Sequence, residues 1–450
     1  MRIAMIAMSG VRIKSDVLIK LGVTLPGFVQ RGKVIAALPS LGLLTLSALI
    51  PKDDEIAYIE VADLATMGDL PSGFDLVCIS SFTAQINEAY ELADRFRKEG
   101  VQVAMGGLHV TQMPAEAKQH CDAVCIGEGE LTFPEMIEDA RKKKLKPYYL
   151  EKGQRGKYDL AQAPLPRYDL LDPDRYNRIT IQTQRGCPHV CPFCASTRLF
   201  GRGYRQKPVE LVIRDLEEIE KIWPRPFIEF ADDNTFVMRD YGKQLCKALI
   251  PHKIRWFTET DISVADDEEL LDLMHESGCE QILIGLETVS DSAISEADAH
   301  GWKAKKLKSY REAITKIQSR GITVNGCFIL GFDGHDKSVF ENVRNFALET
   351  NLLETQVTLL TPMAGTETYS KLRTEGRLLR ENPWDSCTLF DVNFRPQLMT
   401  AKELEDGLVY LFGELYNQDV YTKRKRHFMD IHRGILERQE AAKSPQRGVA

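Results

Sequence analysis

The chain alternates short apolar runs with amphipathic segments of helical period, and it does so in two blocks joined by a polar stretch. Short apolar runs between helices are typical of parallel strands that are covered on both faces of a sheet. Such strands need crossover connections, which amphipathic helices provide. The sequence therefore predicts an α/β protein with two successive parallel-sheet domains.

The first block covers residues 1–150. We predict five strands in it, at Arg2–Met8, Ile56–Glu60, Leu76–Ser80, Val101–Met105 and Ala123–Ile126. Between the third and fourth strands, apolar residues recur at helical spacing from Ile86 to Phe96, and Gly100 ends that helix. This order predicts a doubly wound, Rossmann-like domain, in which ligands bind beyond the carboxyl ends of the strands.

A polar, proline-rich stretch at residues 151–177 is predicted to be a linker. The alternation of strands and helices then resumes over residues 178–375. Six strands are predicted there, at Ile179–Thr183, Phe227–Phe230, Arg255–Thr258, Gln281–Leu286, Thr323–Leu330 and Thr355–Leu360. Six such units predict a partial (β/α)6 TIM-like barrel, with its active site at the carboxyl ends of the strands.

Residues 376–450 are predicted to form a mostly helical C-terminal extension, helical from Ala401 to Arg438. Three aromatic residues precede these helices, namely Trp384, Phe390 and Phe394. They either line a substrate pocket at the mouth of the barrel or pack the extension onto it. The sequence leaves both interpretations open.

Three cysteines follow the first predicted barrel strand, in the run Cys187-Pro-His-Val-Cys191-Pro-Phe-Cys194. Three thiolates on one tight loop can hold three irons of a cubane [4Fe–4S] cluster and leave the fourth iron open. A structural zinc would need a fourth protein ligand, and no second cysteine or histidine pair lies nearby at zinc-finger spacing. We therefore expect an iron–sulfur cluster, with a zinc site or a disulfide loop as the alternatives.

This loop, with Phe193 just before the last cysteine, resembles the radical S-adenosylmethionine (SAM) superfamily. The resemblance implies that SAM chelates the open iron and that Phe193 packs near the adenine. It places Glu287 at the ribose hydroxyls, and Gly331 and Pro362 in segments that flank the adenine. The segment that meets the SAM amino group departs from the family's Gly-Gly-Glu pattern and offers three candidates instead, Asp232, Asp233 and Asn234.

Loops of the first block resemble the N-terminal cobalamin (B12)-binding domain of a large group of radical SAM proteins. The resemblance implies cobalamin contacts at the strand ends, from Ser80, Thr83, Gly106, Gly107, Gly127 and Gly129. The D-x-H-x-x-G motif that supplies an axial histidine in other B12 proteins is absent, so we predict no histidine ligand to cobalt. The alternative is a Rossmann-like domain that binds no cobalamin and serves packing or substrate contact.

Together these resemblances imply a cobalamin-dependent radical SAM methyltransferase that acts on an unactivated carbon or phosphorus centre of a small molecule. They also imply an electron donor such as flavodoxin or ferredoxin. One alternative keeps the cluster and SAM but performs a cyclisation, a rearrangement or transfer of another SAM fragment, such as the 3-amino-3-carboxypropyl group. A second alternative is a non-catalytic iron–sulfur sensor. The residues that act on the substrate are not predictable from the sequence.

With 43% hydrophobic and 27% charged residues, the chain can build full cores. This composition agrees with a cytoplasmic enzyme. A net charge of −7 argues against a nucleic-acid partner. The most apolar stretch, Val34 to Ile50, falls short of the ~20 residues that span a membrane, and we predict a buried helix. The other seven cysteines are predicted to be buried thiols in a reducing compartment: Cys78, Cys121, Cys125, Cys246, Cys279, Cys327 and Cys387.

The cysteine triplet generates the first prediction. Replacing Cys187, Cys191 and Cys194 together by alanine should abolish the absorbance at about 400 nm of the anaerobically reconstituted protein. The variant should also lose SAM cleavage while its circular dichroism stays that of the folded chain, because the loop lies at a barrel mouth and not in its core. A cluster retained in the triple variant would contradict the assignment of these ligands.

Overall fold

The computed structural model describes residues 1–21, 38–69, 71–150, 157–201, 203–298 and 300–443. Its first sheet has six parallel strands in the order β2-β1-β3-β4-β5-β6. These strands are β1 (Arg2–Met8), β2 (Glu55–Val61), β3 (Leu76–Ser81), β4 (Gln102–Gly106), β5 (Ala123–Ile126) and β6 (Tyr148–Leu150). The helices between them are α1 (Asp16–Lys20), α2 (Leu41–Ser47), α3 (Ile86–Lys98), α4 (Leu108–Gln112), α5 (Pro114–Ala117) and α6 (Gly129–Arg141).

Both faces of this sheet are buried, as β1 shows most clearly. Successive side chains of a strand point to opposite faces. Ala4 and Ile6 belong to the apolar cluster on one face, whereas Ile3 and Met5 belong to the cluster on the other. All four are fully buried, so β1 has an apolar residue at every position between its ends. The doubly wound fold predicted for this block is confirmed.

The second sheet contains six parallel strands that follow one another in chain order. They are β7 (Ile179–Ile181), β10 (Phe227–Phe230), β11 (Arg255–Thr260), β12 (Cys279–Glu287), β13 (Thr323–Leu330) and β14 (Glu354–Leu359). A small antiparallel pair, β8 (Gln184–Arg185) and β9 (Arg205–Gln206), brackets the cysteine loop. The helices are α7 (Ser196–Phe200), α8 (Val209–Ile222), α9 (Arg239–Leu249), α10 (Glu268–Glu276), α11 (Ile294–Ala297), α12 (Trp302–Lys306), α13 (Tyr310–Gln318), α14 (Ser338–Glu349) and α15 (Glu367–Thr374).

This sheet curves as a partial barrel whose two outer strands, β7 and β14, do not pair with each other. The C-terminal extension covers the β14 side. It consists of a short turn region followed by α16 (Ala401–Leu415) and α17 (Gln418–Lys443), and α16 packs against β14 and α14. A capping box between Thr400 and Glu403 starts α16. The predicted α/β class with a helical tail is confirmed.

The three aromatic residues of the extension pack; they do not line a pocket. Trp384, Phe390 and Phe394 are 2%, 3% and 0% exposed. Trp384 reaches back to the N-terminal domain, where its Nε1–H donates to Glu116 Oε2 at 3.2 Å and its ring meets His109 edge-on. Of the two interpretations that the sequence leaves open, packing is therefore the correct one.

Two details differ from the sequence-based expectations. Strand β6 was not predicted, because its three residues alternate exposed and buried at the edge of the sheet. The helix expected within Val34 to Ile50 is only the seven residues of α2 where the structure describes it, and residues 34–37 lie outside the described part. No helix among the described residues is long and apolar enough to span a bilayer.

The contact of Trp384 with the N-terminal domain generates a stability prediction. Trp384→Ala should lower the free energy of unfolding by about 3–5 kcal/mol, because the cavity left between the domains cannot collapse fully. Trp384→Phe keeps most of the buried area and should cost less, mainly the hydrogen bond to Glu116. Denaturant unfolding of both variants measures the difference. Equal and small losses would show that the extension does not hold the domains together.

Candidate functional site

The cysteine triplet lies in the wall of a cavity of about 360 Å³ inside the mouth of the barrel. Burial raises the pKa of Cys187 and of Cys191 to about 12, and it raises that of Cys194 as well. Thiols with such pKa values are protonated at neutral pH, and metal ligation replaces the proton. Phe193 lines the same cavity and packs on Phe332, with ring centroids 5.9 Å apart.

The donor set fits a cluster better than a single ion. Among the described residues, no three cysteine, histidine, aspartate or glutamate side chains converge closely enough to hold one metal ion. A cubane cluster distributes its ligands over separate irons, so three thiolates do not have to meet at one point. Cys187, Cys191 and Cys194 are therefore the residues that would hold a [4Fe–4S] cluster.

A polar cluster holds the cysteine loop from the side of β10 and β11. His189 Nε2 lies 3.3 Å from Asp261 Oδ2, and Asn234 Nδ2 donates to the same oxygen at 2.8 Å. Burial alone would favour the protonated form of Asp261, but hydrogen bonds from His189, Ser263 and Asn234 hold its pKa well below the usual range. Asp261 is therefore an anionic anchor for the loop. On its other side, the His189 ring packs on Trp302 at 4.7 Å between centroids.

The three polar residues after β10 have separate roles. Asp232 is buried away from the cavity and accepts hydrogen bonds from Thr183 N at 2.9 Å and Gln184 N at 3.1 Å, which tie β10 to the strand before the cysteine loop. Burial raises the pKa of Asp232 to about 6. Asn234 and Asp233 line the cavity, and Asn234 is committed to Asp261. Asp233 is therefore the carboxylate of this segment that faces the cavity.

Glu287 reaches the cavity through an irregular end of β12. The register with β13 shifts between Gly285 and Glu287, and Glu287 has a φ of 63°, a left-handed value that is costly for a residue with a side chain. A Cβ on Gly285 would lie 2.5 Å from Glu287 Oε1, so only glycine leaves room for this carboxylate. The backbone thus accepts strain that aims Glu287 at the cavity.

Glu287 is paired with a lysine that the sequence did not predict. Lys303 Nζ makes a short contact with Glu287 Oε1 and donates to Gly285 O at 2.8 Å. Both side chains are at least nine-tenths buried, at 9% and 8% exposure. Burial lowers the pKa of Lys303, but the nearby Glu287 carboxylate outweighs it and raises that pKa overall. Lys303 is therefore held in its charged form, and its contact leaves Glu287 only part of its hydrogen-bonding capacity for a ligand.

Glu259, near the end of β11, is a second acid that the sequence did not predict. Its side chain projects into the cavity, and no hydrogen-bond partner is present among the described residues. The surrounding protein and the nearby carboxylates of Glu229, Asp233 and Glu287 raise its pKa to about 8. Glu259 therefore gives the cavity a carboxyl group whose charged form is disfavoured by its surroundings.

Two predicted SAM contacts lie outside this cavity, in addition to Asp232. Gly331 has a φ of 99° and packs beneath Phe394 and Leu404. Pro362 is not in the cavity wall, although Leu360, Thr361 and Met363 around it are. The structure thus brings Phe193, Asp233, Asn234 and Glu287 together with the cysteines and leaves Asp232, Gly331 and Pro362 out.

A second cavity, of about 280 Å³, lies at the carboxyl edge of the N-terminal sheet. Of the six residues predicted to contact cobalamin, all but Thr83 line it, namely Ser80, Gly106, Gly107, Gly127 and Gly129. Thr83 is buried beside His109, with 3.4 Å between Oγ1 and Nδ1. No histidine is among the described residues that line the cavity.

The glycines of this cavity keep its floor free of side chains. A Cβ on Gly107 would come within 3.0 Å of Ser80 Oγ, and one on Gly129 within 3.0 Å of the Leu46 side chain. Gly107 also has a φ of 100°, which disfavours any other residue. Such a floor suits the close approach of a large planar ligand, so the residues present fit cobalamin.

The radical-generating half of the chain supplies the opposite wall of this cavity, through Gln182, Arg185, Leu199, Phe200 and Ala231. Arg185 makes the principal contact between the domains. Its guanidinium donates to Glu128 Oε1 at 2.7 Å and to Glu130 Oε1 at 2.8 Å, and Arg205 Nη1 also donates to Glu128. Arg185 is two residues before Cys187, so this buried ion pair joins the loop after β5 directly to the cysteine loop.

Comparison with known families agrees with this geometry. A model of the radical SAM superfamily matches residues 181–347, and a model of the B12 binding domain matches residues 39–137. The chain is a radical SAM protein with a B12-binding domain. A domain of unknown function, DUF4070, matches residues 366–448. The predicted family and its cofactors, a [4Fe–4S] cluster, SAM and cobalamin, are confirmed at the level of these domains.

Curated relatives carry methyltransferase names. An uncharacterized methyltransferase of Synechocystis is 28% identical over 86% of this chain and 72% of its own length. The bacteriochlorophyllide d C-12(1)-methyltransferase of Chlorobaculum tepidum is 25% identical over 85% of this chain and 84% of its own length. These relatives cover both domains.

Two solved structures share the fold. The radical SAM methyltransferase TsrM from Kitasatospora setae, with cobalamin and a [4Fe–4S] cluster bound, aligns with a TM-score of 0.62 at 14% identity. The alignment covers 85% of this chain and 79% of TsrM. The cobalamin-dependent SAM radical enzyme OxsB aligns with a TM-score of 0.58 at 19% identity, over 83% of this chain. This chain spans only 55% of OxsB.

The ion pair of the radical SAM cavity changes how the ribose contact predicted for Glu287 should be tested. Glu287→Ala alone would leave Lys303 buried and unpaired, which costs about 3–5 kcal/mol of stability and confuses any binding result. The double variant Glu287→Gln/Lys303→Met removes both charges. It should remain folded yet bind SAM about 1–3 kcal/mol more weakly, with an unchanged cluster spectrum, because a charge-assisted hydrogen bond is lost.

The control is Lys303→Arg, which keeps the Glu287 carboxylate and a positive charge beside it, so that neither charge is left unpaired. Isothermal titration with SAM and denaturant unfolding are measured on all the variants. Wild-type SAM affinity in the double variant would place the ribose contact on another residue.

Proposed function

We propose that this chain is a cobalamin-dependent methyltransferase that transfers a methyl group to an unactivated carbon or phosphorus centre of a small molecule. The observation that carries the proposal is that neighbouring segments of the barrel line the two cavities. Gln182 and Arg185 precede the cysteine loop, Ala231 is two residues before Asp233, and these three line the cobalamin cavity, whereas the cysteines and Asp233 line the barrel cavity. A reaction that needs both cofactors on one substrate requires this proximity.

The residues of the barrel cavity divide the work of binding SAM. When bound, the cluster supplies the electron that cleaves SAM reductively, and cobalamin carries the methyl group. Asp233 is the carboxylate that receives the SAM amino group, because Asp232 and Asn234 are committed to other partners. Glu287 accepts hydrogen bonds from the ribose, while Lys303 fixes its orientation. Phe193 covers the adenine from the cysteine loop.

The rest of the cavity wall indicates what kind of substrate surface it can accept. Leu359, Leu360, Met363 and Leu389 provide an apolar surface at the end of β14 and in the segments that follow. An apolar wall excludes water, which protects a reactive carbon centre from side reactions. We infer a substrate that presents an apolar face here.

The proposal includes the compartment and the partner. All ten cysteines are free, as expected for a reducing cytoplasm. Reductive cleavage of SAM consumes one electron per event, so the enzyme needs a low-potential protein donor such as flavodoxin or ferredoxin.

Product analysis tests the reaction. The reconstituted protein is incubated anaerobically with SAM, cobalamin and a reductant, and every adenosyl, methyl and amino-acid fragment is identified by mass spectrometry. Methyl transfer should give S-adenosylhomocysteine together with 5′-deoxyadenosine. If candidate substrates give 5′-deoxyadenosine without S-adenosylhomocysteine, the result favours cyclisation or rearrangement. A 3-amino-3-carboxypropyl product favours transfer of that fragment. Absence of any SAM turnover would leave the sensor alternative.

Gly42 provides the sharpest variant for the cobalamin cavity. It lies in α2, lines the cavity, and a Cβ there would meet nothing within 4 Å. Gly42→Leu should therefore fill space that cobalamin needs without backbone strain, and lower cobalamin uptake by about tenfold or more. Reductive cleavage of SAM should persist. Gly107→Val is a poorer probe, because its left-handed φ already opposes the change.

Gly413→Leu is the matched control, since Gly413 also lies in a helix with open space around its Cβ but far along the chain in α16. Cobalamin uptake is measured by absorbance after gel filtration. Full uptake by the Gly42→Leu variant would show that cobalamin does not occupy this cavity.

A further inference from the structure

A cluster of lysines lies on and after α12, at the mouth of the barrel. Residues 300–311 contain four lysines and no acidic residue, in a chain whose net charge is −7. The four are Lys303, Lys305, Lys306 and Lys308. Local positive charge creates a field that favours an acidic partner. This cluster differs from the basic run at residues 141–146 because it lies beside the cysteine loop.

This helix touches the cysteine loop directly. The Trp302 ring packs on the ring of His189, which stands between Cys187 and Cys191. The next residue, Lys303, points inward to Glu287 and lies close enough to Cys191 to affect its thiol electrostatically. The short helix α12 is thus the layer of protein between solvent and this side of the loop.

The outer lysines are available for a partner. Lys305 and Lys308 are exposed and form no ion pair within the part of the chain that the structure describes. Lys306 pairs with Asp266, which is itself exposed, so this pair can exchange with an incoming carboxylate. Trp302 is half-buried and presents the rest of its ring beside them.

Other parts of the cysteine loop are occupied by the protein itself. Pro192 O accepts a hydrogen bond from Thr368 N at 3.2 Å, and Arg198 O accepts one from Gln112 Nε2 of the B12-binding domain at 3.0 Å. These contacts hold that part of the loop against the B12-binding domain and against α15. On the His189 side, Asp261 holds one edge of the ring and α12 packs against the ring through Trp302.

We propose that Trp302, Lys305, Lys306 and Lys308, the lysine surface, are the docking site of a small acidic flavodoxin-type electron carrier. The inference rests on the proposed function, because it assigns the entry point of the electron that SAM cleavage consumes. In each encounter the reduced flavin is oxidised by one electron and the [4Fe–4S] cluster is reduced by one electron, and no atoms are exchanged. Trp302 and His189 form the protein layer that the electron crosses.

Charge reversal tests the lysine surface. Lys305→Glu/Lys308→Glu in the reconstituted holoenzyme is compared with the matched control Lys142→Glu/Lys144→Glu, which makes the same charge change at exposed lysines after α6. Two readouts are measured. One is the affinity for oxidised flavodoxin, which requires no turnover. The other is the rate at which reduced flavodoxin bleaches the cluster absorbance in a stopped-flow instrument.

The charge-reversed variant should bind flavodoxin roughly tenfold or more weakly than the wild type, and its cluster should be reduced correspondingly more slowly. The difference in affinity between the two proteins should become smaller as the salt concentration rises. The control should behave like the wild type. Reduction by dithionite and the SAM cleavage that follows should be the same in all three proteins, which shows that the variants are folded and loaded.

Two results would overturn the docking site: unchanged flavodoxin affinity in the lysine-surface variant, or an equal loss in the control. Failure of the proposed function gives a different result. In that case dithionite-reduced wild-type enzyme, with cobalamin and candidate substrates, gives no S-adenosylhomocysteine and no methylated product, whatever the flavodoxin affinity of the variants.

Discussion

The buried ion pair between Arg185 and the two glutamates after β5 is the contact on which the two-cofactor arrangement depends. Glu128 and Glu130 belong to the cobalamin side, and Arg185 is two residues before the first cluster ligand. Removing one partner of a buried pair strands the other charge, so a change at Arg185 or at Glu128 alone would be costly, and the fixed geometry of these hydrogen bonds sets how the domains meet. This ion pair thus fixes how the two cofactor cavities lie relative to each other, and Trp384, in the C-terminal extension, adds an apolar contact.

Inside the barrel, too, buried charged groups hold neighbouring elements in position. Three charged residues hold neighbouring elements in place, namely Asp261, Asp232 and Lys303. Three other acids line the cavity, namely Asp233, Glu259 and Glu287. Carboxyl groups that rigid neighbours hold in fixed positions can bind a small ligand in one orientation. The strained backbone of Glu287 belongs to the same design, because Gly285 and Lys303 together keep it in place.

Hydrophobic periodicity and cysteine spacing were sufficient for the fold and for the place of the cysteine loop in it, because both are properties of short stretches of chain. They could not reveal Lys303, which meets Glu287 across a 16-residue connection. Arg185 had no visible partner either, since its glutamates lie in another domain. Glu259 had a signal, an acid inside an apolar barrel strand, that goes unnoticed when strands are assigned only by their apolar residues. The SAM contacts expected at Gly331 and Pro362 stay predictions; neither residue lines the barrel cavity, and order along a strand end does not determine which residues face inward.

The open side of the barrel has a consequence for the integrity of the chain. Strand β14 is an outer strand, and α16 together with the segment around Leu389 covers it, with Leu359 N donating to Leu389 O at 2.7 Å. An uncovered outer strand offers its backbone groups to any other strand. A chain lacking residues 376–450 would therefore expose a pairing edge, and its characteristic failure would be aggregation through that edge before any loss of the cluster or of SAM binding.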